Sequence, residues 1–150
     1  MSVTFQTERF ADIWGEVQPL LARHWDEVAA KDITGSLDVD EALYLSMDKA
    51  DLLHITTARD EGVLVGYAAY LIYRNHHYRR KLIADADVFF LLPECRKGLL
   101  GLHLLRAAES VMRERGVNVI VQKVKASHDC GALFRRMGYR LTEYLYMKAV

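Results

Sequence analysis

Cysteine and proline are both scarce in this chain. Of 150 residues, two are cysteine and two are proline. Cys95 and Cys130 stand alone, which excludes a disulfide framework and lacks the spacing of a zinc site. Net charge is missing as well, since twenty basic residues offset twenty acidic ones. That balance argues against a nucleic-acid binder, which ordinarily carries a basic excess; only the Arg79-Arg80-Lys81 run departs from it. Apolar runs are far too short to span a bilayer, which argues against a membrane partner. The opening residues Met1–Thr7 lack the basic-then-apolar layout of a signal peptide. The expectation is a single cytoplasmic domain over residues 1–150, whose 51% hydrophobic content suffices for a sizeable core.

What the chain does contain is periodicity. Phe10, Ile13, Trp14, Val17, Leu21, Trp25 and Val28 recur at helical spacing, with Pro19 either kinking one helix or dividing two. Asp40 is placed to cap a second helix that buries Leu43, Tyr44 and Met47. Leu52–Ala58 and Val63–Tyr73 read as strands joined through Arg59-Asp60-Glu61-Gly62, and Leu82–Leu92 as a third. Residues 99–115 form a strongly amphipathic helix that Gly116 ends. Val117–Val121 reads as a buried strand, a short helix runs through Gly131–Phe134 to near Gly138, and Tyr139–Lys148 supplies one or two closing strands. This order predicts an α/β fold of the α+β kind: a mixed, mostly antiparallel central sheet flanked by helices.

The junction Leu91-Leu92-Pro93-Glu94-Cys95-Arg96-Lys97-Gly98-Leu99-Leu100-Gly101 lies between an apolar strand and the amphipathic helix. It gathers backbone N–H groups, a helix N-terminus and two cations, a set that suits a pyrophosphate. The competing reading is an ordinary glycine-containing strand–helix turn.

From these residues the chain resembles the GNAT acyltransferase superfamily along nearly its whole length, most specifically over Asp85–Lys148. In that family the phosphate turn reads Arg or Gln, two residues, Gly, one residue, then Gly or Ala. Arg96 and Gly101 match its outer positions; Leu99 stands where the first glycine is expected, and Gly98 comes one place early. Ala132–Tyr139 resembles the family's helix that ends in a Gly-aromatic pair. Phe134 stands where a tyrosine often protonates the departing thiolate of coenzyme A, and Ser127 where an asparagine often contacts the cofactor. The His24–Ala29 helix and the Asn75-His76-His77-Tyr78 turn add a likeness to small GNAT proteins encoded by bacteriophages, which would place the protein in a host cytoplasm.

The resemblance implies acetyl-CoA as co-substrate, with direct acetyl transfer to the amine of an unidentified protein or small-molecule acceptor. It implies cofactor contacts from Phe89, Leu91, Arg96, Lys97, Gly98, Leu99, Leu100, Gly101, Leu102, Ser127 and Phe134, with the N–H groups of residues 97–102 turned to the pyrophosphate. A homodimer through the C-terminal strands is a further family expectation.

Asp85, Asp87, Phe89 and Leu91 alternate, and so are expected on one face of their strand. Asp85 has the spacing from Arg96 of the family's general base. The two aspartates either abstract a proton, hold a cationic acceptor, or serve only as structural pairs. Tyr144 is the candidate acid, with Tyr146 and Tyr78 as alternatives. His76 and His77 read as a solvated loop or an acceptor-side proton shuttle, and no metal site is expected. The rival to an enzyme is a catalytically weak GNAT-like module that binds a partner protein, with coenzyme A as a structural ligand; Phe134 motivates it.

Overall fold

The computed structural model describes residues 2–150. Five strands form one sheet in chain order: β1 (Val3–Thr7), β2 (Leu53–Asp60), β3 (Val63–Arg74), β4 (Leu82–Leu91) and β5 (Val119–Val121). All neighbours are antiparallel except β4 and β5, which run parallel. The β2–β3 hairpin turns at Glu61 and Gly62, both with positive φ (50° and 86°), the geometry of a tight two-residue connection.

Alternation along β3 divides the core in two. Ala68, Tyr70 and Ile72 pack on one side with Leu104, Leu105, Ala108 and Met112 of helix α4 (Leu100–Glu114). Tyr67, Ala69 and Leu71 face the other side, covered by α1 (Phe10–Val28) and α3 (Glu41–Lys49). A four-residue helix α2 (Lys31–Thr34) links α1 to α3, and α5 (Gly131–Arg136) follows β5. The architecture is therefore the expected mixed sheet with helices on both faces.

Several local expectations need correction. Pro19 does not divide α1, so of the two alternatives the single helix holds. Asp40 caps α3 as expected, accepting from the Leu43 N–H at 2.9 Å, yet Leu43 itself points outward, 51% exposed, and Asp48 is the residue α3 buries. Strand β5 is three residues long and lies at the sheet edge, so Val119 and Val121 are exposed rather than buried. The Tyr139–Lys148 stretch forms no strand; Tyr144 (78% exposed) and Tyr146 (92%) project into solvent. Strand β1 and helix α2 were not anticipated.

The most consequential correction concerns β4. Ala69 pairs with Val88 and Tyr70 with Ala86, which leaves Asp87 as an extra residue in a β-bulge. The bulge breaks the two-residue alternation. Phe89 and Leu91 pack into the core beneath α4, whereas Val88 and Phe90 pack beneath α1. Asp87 reaches α3 on that same second side. The four residues expected on one face are thus split between two.

Candidate active site

After β4 the chain makes one 3₁₀ turn, Pro93–Cys95, and then the loop that opens α4. Gly98 sits at φ +64°, a left-handed conformation that glycine adopts without cost, while Leu99 sits at φ −111°. The early glycine is therefore the one this turn requires. The Arg96 and Lys97 amides bond back to the Pro93 and Cys95 carbonyls, so neither is free. Among the described residues, the amides of Gly98, Leu99, Leu100, Gly101 and Leu102 have no acceptor, and no side chain caps α4. These five donors, at the positive end of a fifteen-residue helix, form an anion cradle. A methyl at Gly101 would meet only the Phe89 ring, at 3.6 Å.

Arg96 does not point freely into this cradle. Its Nε donates to the Leu91 carbonyl at 2.8 Å, and its two terminal nitrogens bind Glu27 of α1 at 2.6 and 2.7 Å. The guanidinium also lies 5.3 Å from the centre of the Phe90 ring. Arg23 holds Glu94 through two further bonds. Helix α1 is thus clamped to the turn by two forked ion pairs. Arg96 holds Glu27 below the usual carboxylate range. Lys97, exposed and in no ion pair among the described residues, is the cation left at the turn.

Beside the cradle, β4 and β5 separate. Their pairing covers only Ile83–Asp85 against Val119–Val121. From Ala86 to Leu91 the β4 edge has no strand beside it, although β3 pairs its other edge. An extended chain carrying amide groups can hydrogen-bond there as an added strand would.

The acidic residues differ in their surroundings. The Asp85 carboxylate lies 2.9 Å from the Lys123 ammonium, an ion pair without the alignment of a good hydrogen bond. Asp87 accepts a 2.6 Å hydrogen bond from the Tyr44 hydroxyl. Burial, and then the Asp87 charge, push the Tyr44 phenol far above its ordinary range, so it stays protonated and keeps donating. Asp87 and Val88 form part of the wall of an apolar cavity of about 200 Å³ between α1, α3 and the sheet. Near it His24 is buried, stacks on Phe90 at 4.7 Å and sits 3.1 Å from the Tyr67 hydroxyl. Burial pushes His24 down to about 4, leaving it neutral at pH 7. A second groove, about 320 Å³ between α4, β5 and Tyr139, is lined by none of these groups.

Among the described residues, Ser127 and Tyr144 make no hydrogen bond to the groups above, and Phe134 shares a core cluster with Phe89 and Leu91. Phe134 is buried under α4 with its ring against Tyr139. Ser127 is exposed in a turn and bonds only to His128. Tyr144 has no hydrogen-bond partner among the described residues, and Tyr78 is 66% exposed. Cys95 is buried, which raises its thiol rather than activating it. Tyr44, Glu27, His24 and Tyr67 were not anticipated at the site, because each lies far in sequence from the group it meets.

The sequence matches the Acetyltransferase (GNAT) family over residues 17–139. The chain belongs to the GNAT acetyltransferase family. Solved structures share the fold across essentially the whole length. A ribosomal-protein-alanine N-acetyltransferase from Brucella melitensis biovar Abortus aligns at TM-score 0.74 and 15% identity, covering 99% of both chains. An aminoglycoside acetyltransferase from an uncultured soil metagenomic sample aligns at 0.77 and 16%, covering 100% of this chain and 99% of that one. A predicted acetyltransferase of Clostridium acetobutylicum, solved with acetyl-CoA, aligns at 0.74 and 13%, covering 98% and 96%. No curated protein matches the sequence. GNAT acetyltransferases use acetyl-CoA, and the amide cradle with its neighbouring open strand edge has the chemistry to receive that molecule's pyrophosphate and amide-bearing arm. Among the described residues, no helix is long and apolar enough to cross a membrane.

Proposed function

We propose that this protein transfers an acetyl group from acetyl-CoA directly to an amine. The observation that carries the reading is the run of five acceptor-free amides at the start of α4, set beside an unpaired stretch of β4. The amides of Gly98–Leu102 would hold the pyrophosphate, with Lys97 adding charge. The free edge over Ala86–Phe90 would align the pantetheine amides, next to the Leu91 carbonyl that Arg96 already occupies. When bound, acetyl-CoA supplies an activated acyl carbon.

The chain's own contribution is mainly to hold two substrates together and to deprotonate the amine. Asp87 takes the ammonium proton, held in place by the Tyr44 hydroxyl. Asp85, engaged with Lys123, is a supporting charge behind it. Phe134 has no proton to give and Tyr144 is exposed without a hydrogen-bond partner among the described residues, so on this reading the thiolate leaves without a protein acid, which a thiol pKa of about 8.5 permits.

Calorimetric titration with acetyl-CoA tests the cofactor assignment. Saturable binding that an Arg96→Ala variant weakens about tenfold or more supports it, because Arg96 fastens the turn to β4 and α1. No heat at millimolar ligand overturns it. The engagement of Arg96 by Glu27 favours a second reading, a cofactor-retaining module that binds a partner protein. Binding of acetyl-CoA without acetylation of any component of a cell lysate would select that reading. The bacteriophage affinity of the sequence stays with the His24–Ala29 and Asn75–Tyr78 segments.

A further inference from the structure

We propose that the cavity between α1, α3 and β4 is the acceptor site, and that it takes a compact primary amine carrying a single aromatic ring. The assignment of transfer chemistry to that amine rests on the function proposed above; the binding site does not.

Its walls are aromatic and aliphatic: Trp14, Trp25, Tyr44 and Tyr67 with Val17 and Leu21. Phe10 stacks on both Trp14 and Tyr44 with ring centres 5.1 Å apart, which fixes the orientation of those two walls. The volume of about 200 Å³ lies below the usual range for drug-sized ligands. A polyhydroxylated, multi-ring polycation exceeds that volume and offers no flat apolar face to these walls. One flat ring with a short arm suits it.

Charge defines the other end. Asp87 is the carboxylate that β4 places on the cavity wall, and Tyr44 donates to it. An ammonium group there is paired rather than buried alone, and the neighbouring tyrosine faces favour a cation. Asp38 and Asp40 also line the cavity, though Asp40 is engaged in capping α3. The Trp14 indole N–H is buried and has no acceptor. Location adds a third argument: Asp87 and Val88 belong to the same stretch of β4 whose edge is open. An amine at Asp87 therefore lies against the strand that would align the thioester.

The chain's only two tryptophans both line this cavity, so intrinsic fluorescence reports its occupancy. Tyramine is the probe, with 4-ethylphenol as its analogue without the ammonium and kanamycin as a large polycation. The expected result is a saturable fluorescence change with tyramine at a Kd of about 1 mM or tighter, binding of 4-ethylphenol about tenfold weaker, and none of kanamycin. Val17→Phe, which fills the cavity, should abolish the tyramine response and leave acetyl-CoA calorimetry unchanged; Leu21→Phe serves if circular dichroism shows the first variant unfolded. Asp87→Asn should make tyramine and 4-ethylphenol bind alike. Absence of a tyramine response up to about 10 mM, kanamycin binding as well as tyramine, or a tyramine response untouched by filling the cavity overturns the proposal. Acetyl-CoA binding without tyramine binding sinks this inference alone. Tyramine binding without acetyl-CoA binding sinks the transferase reading and leaves the cavity's ligand class standing.

Discussion

Lowering the pH from 7 to 5 is expected to cost the fold about 4 kcal/mol, through two buried histidines. Burial is the chief cause that pushes both His24 and His54 from 6.5 down to about 4. For His24 the nearby Lys125 and Arg96 reinforce the shift and Glu27 opposes it; for His54, Arg115 reinforces and Asp51 opposes. The His54 Nε2 is matched to the Thr56 hydroxyl at 2.8 Å, while its Nδ1 is buried without a partner. In the unfolded chain both rings protonate near 6.5, so between pH 6.5 and 4 the unfolded state binds more protons than the native state. Stability is complete above that window and falls as pH drops through it. Each histidine gives up about 2 kcal/mol by pH 5 and about 3 by pH 4.

The carboxylates do not confuse this window. Glu8, Glu16, Glu27 and Glu94 are all held below the ordinary carboxylate value, so most of their contribution remains at pH 5 and is lost as pH falls further, through their native values. Urea unfolding followed by circular dichroism at pH 7, 6 and 5 measures the effect. A loss of about 4 kcal/mol is a large share of the stability of an ordinary domain and would move the midpoint by about 2 M. A His24→Leu variant should lose only about 2 kcal/mol over the same range. A wild-type loss under about 1 kcal/mol, or a variant with the full wild-type slope, would refute the burial argument.

Three further outcomes follow from the turn and the sheet. Gly101→Ala should raise the melting temperature slightly, since alanine favours a helix and a methyl meets nothing closer than the Phe89 ring at 3.6 Å, and it should leave acetyl-CoA binding unchanged; thermal denaturation beside calorimetry checks both, and a loss of binding would show that the methyl crowds the cradle. Gly66→Ala should destabilise by about 2 kcal/mol or more in urea, because its Cβ would stand 2.7 Å from a Leu91 methyl and 2.8 Å from the Phe90 carbonyl oxygen. Glu27→Gln should tighten acetyl-CoA binding about fivefold at low ionic strength by releasing the Arg96 charge towards the pyrophosphate, with the gain disappearing in about 1 M salt; unchanged affinity at low salt would show that Arg96 serves only to fasten the turn.

Legibility in the sequence followed the range of the interactions. Strands β2, β3 and β4 and helix α4 stood out because their signals are local, a period of two or 3.6 bounded by turn residues. The cap at Asp40 and the stop at Gly116 (φ +83°) are equally local. The β4 bulge left no such trace, because it is a property of pairing: Asp85-Ala86-Asp87-Val88-Phe89 alternates on paper, and only the offset against Ala69 and Tyr70 shows that Asp87 is extra. The grip of Glu27 on Arg96 spans 69 positions and the Tyr44–Asp87 bond 43, distances over which one sequence carries no pattern. The C-terminal expectation failed differently. Leu141, Tyr144, Leu145 and Tyr146 have strand-like composition, but β propensity takes effect only where a neighbouring strand accepts the pairing, and here none does.

The bulge and the C-terminal half of α1 set the geometry on which the two proposed binding sites rest. A regular β4 would turn Asp87 and Phe89 to the same side, putting the acid beneath α4 or the ring beneath α1. The inserted residue sends the acid to the α1 side and keeps the ring under the cradle helix, while the edge between them stays open. Helix α1 then touches both halves. Arg23 and Glu27, four residues apart and so on one face, grip Glu94 and Arg96 at the turn. Leu21 and Trp25, also four apart, wall the acceptor cavity. His24 bridges them, stacked on the Phe90 ring beside which Arg96 lies. The grip on the turn and a wall of the cavity therefore come from the same seven residues of α1, Leu21 to Glu27, nearly two helical turns.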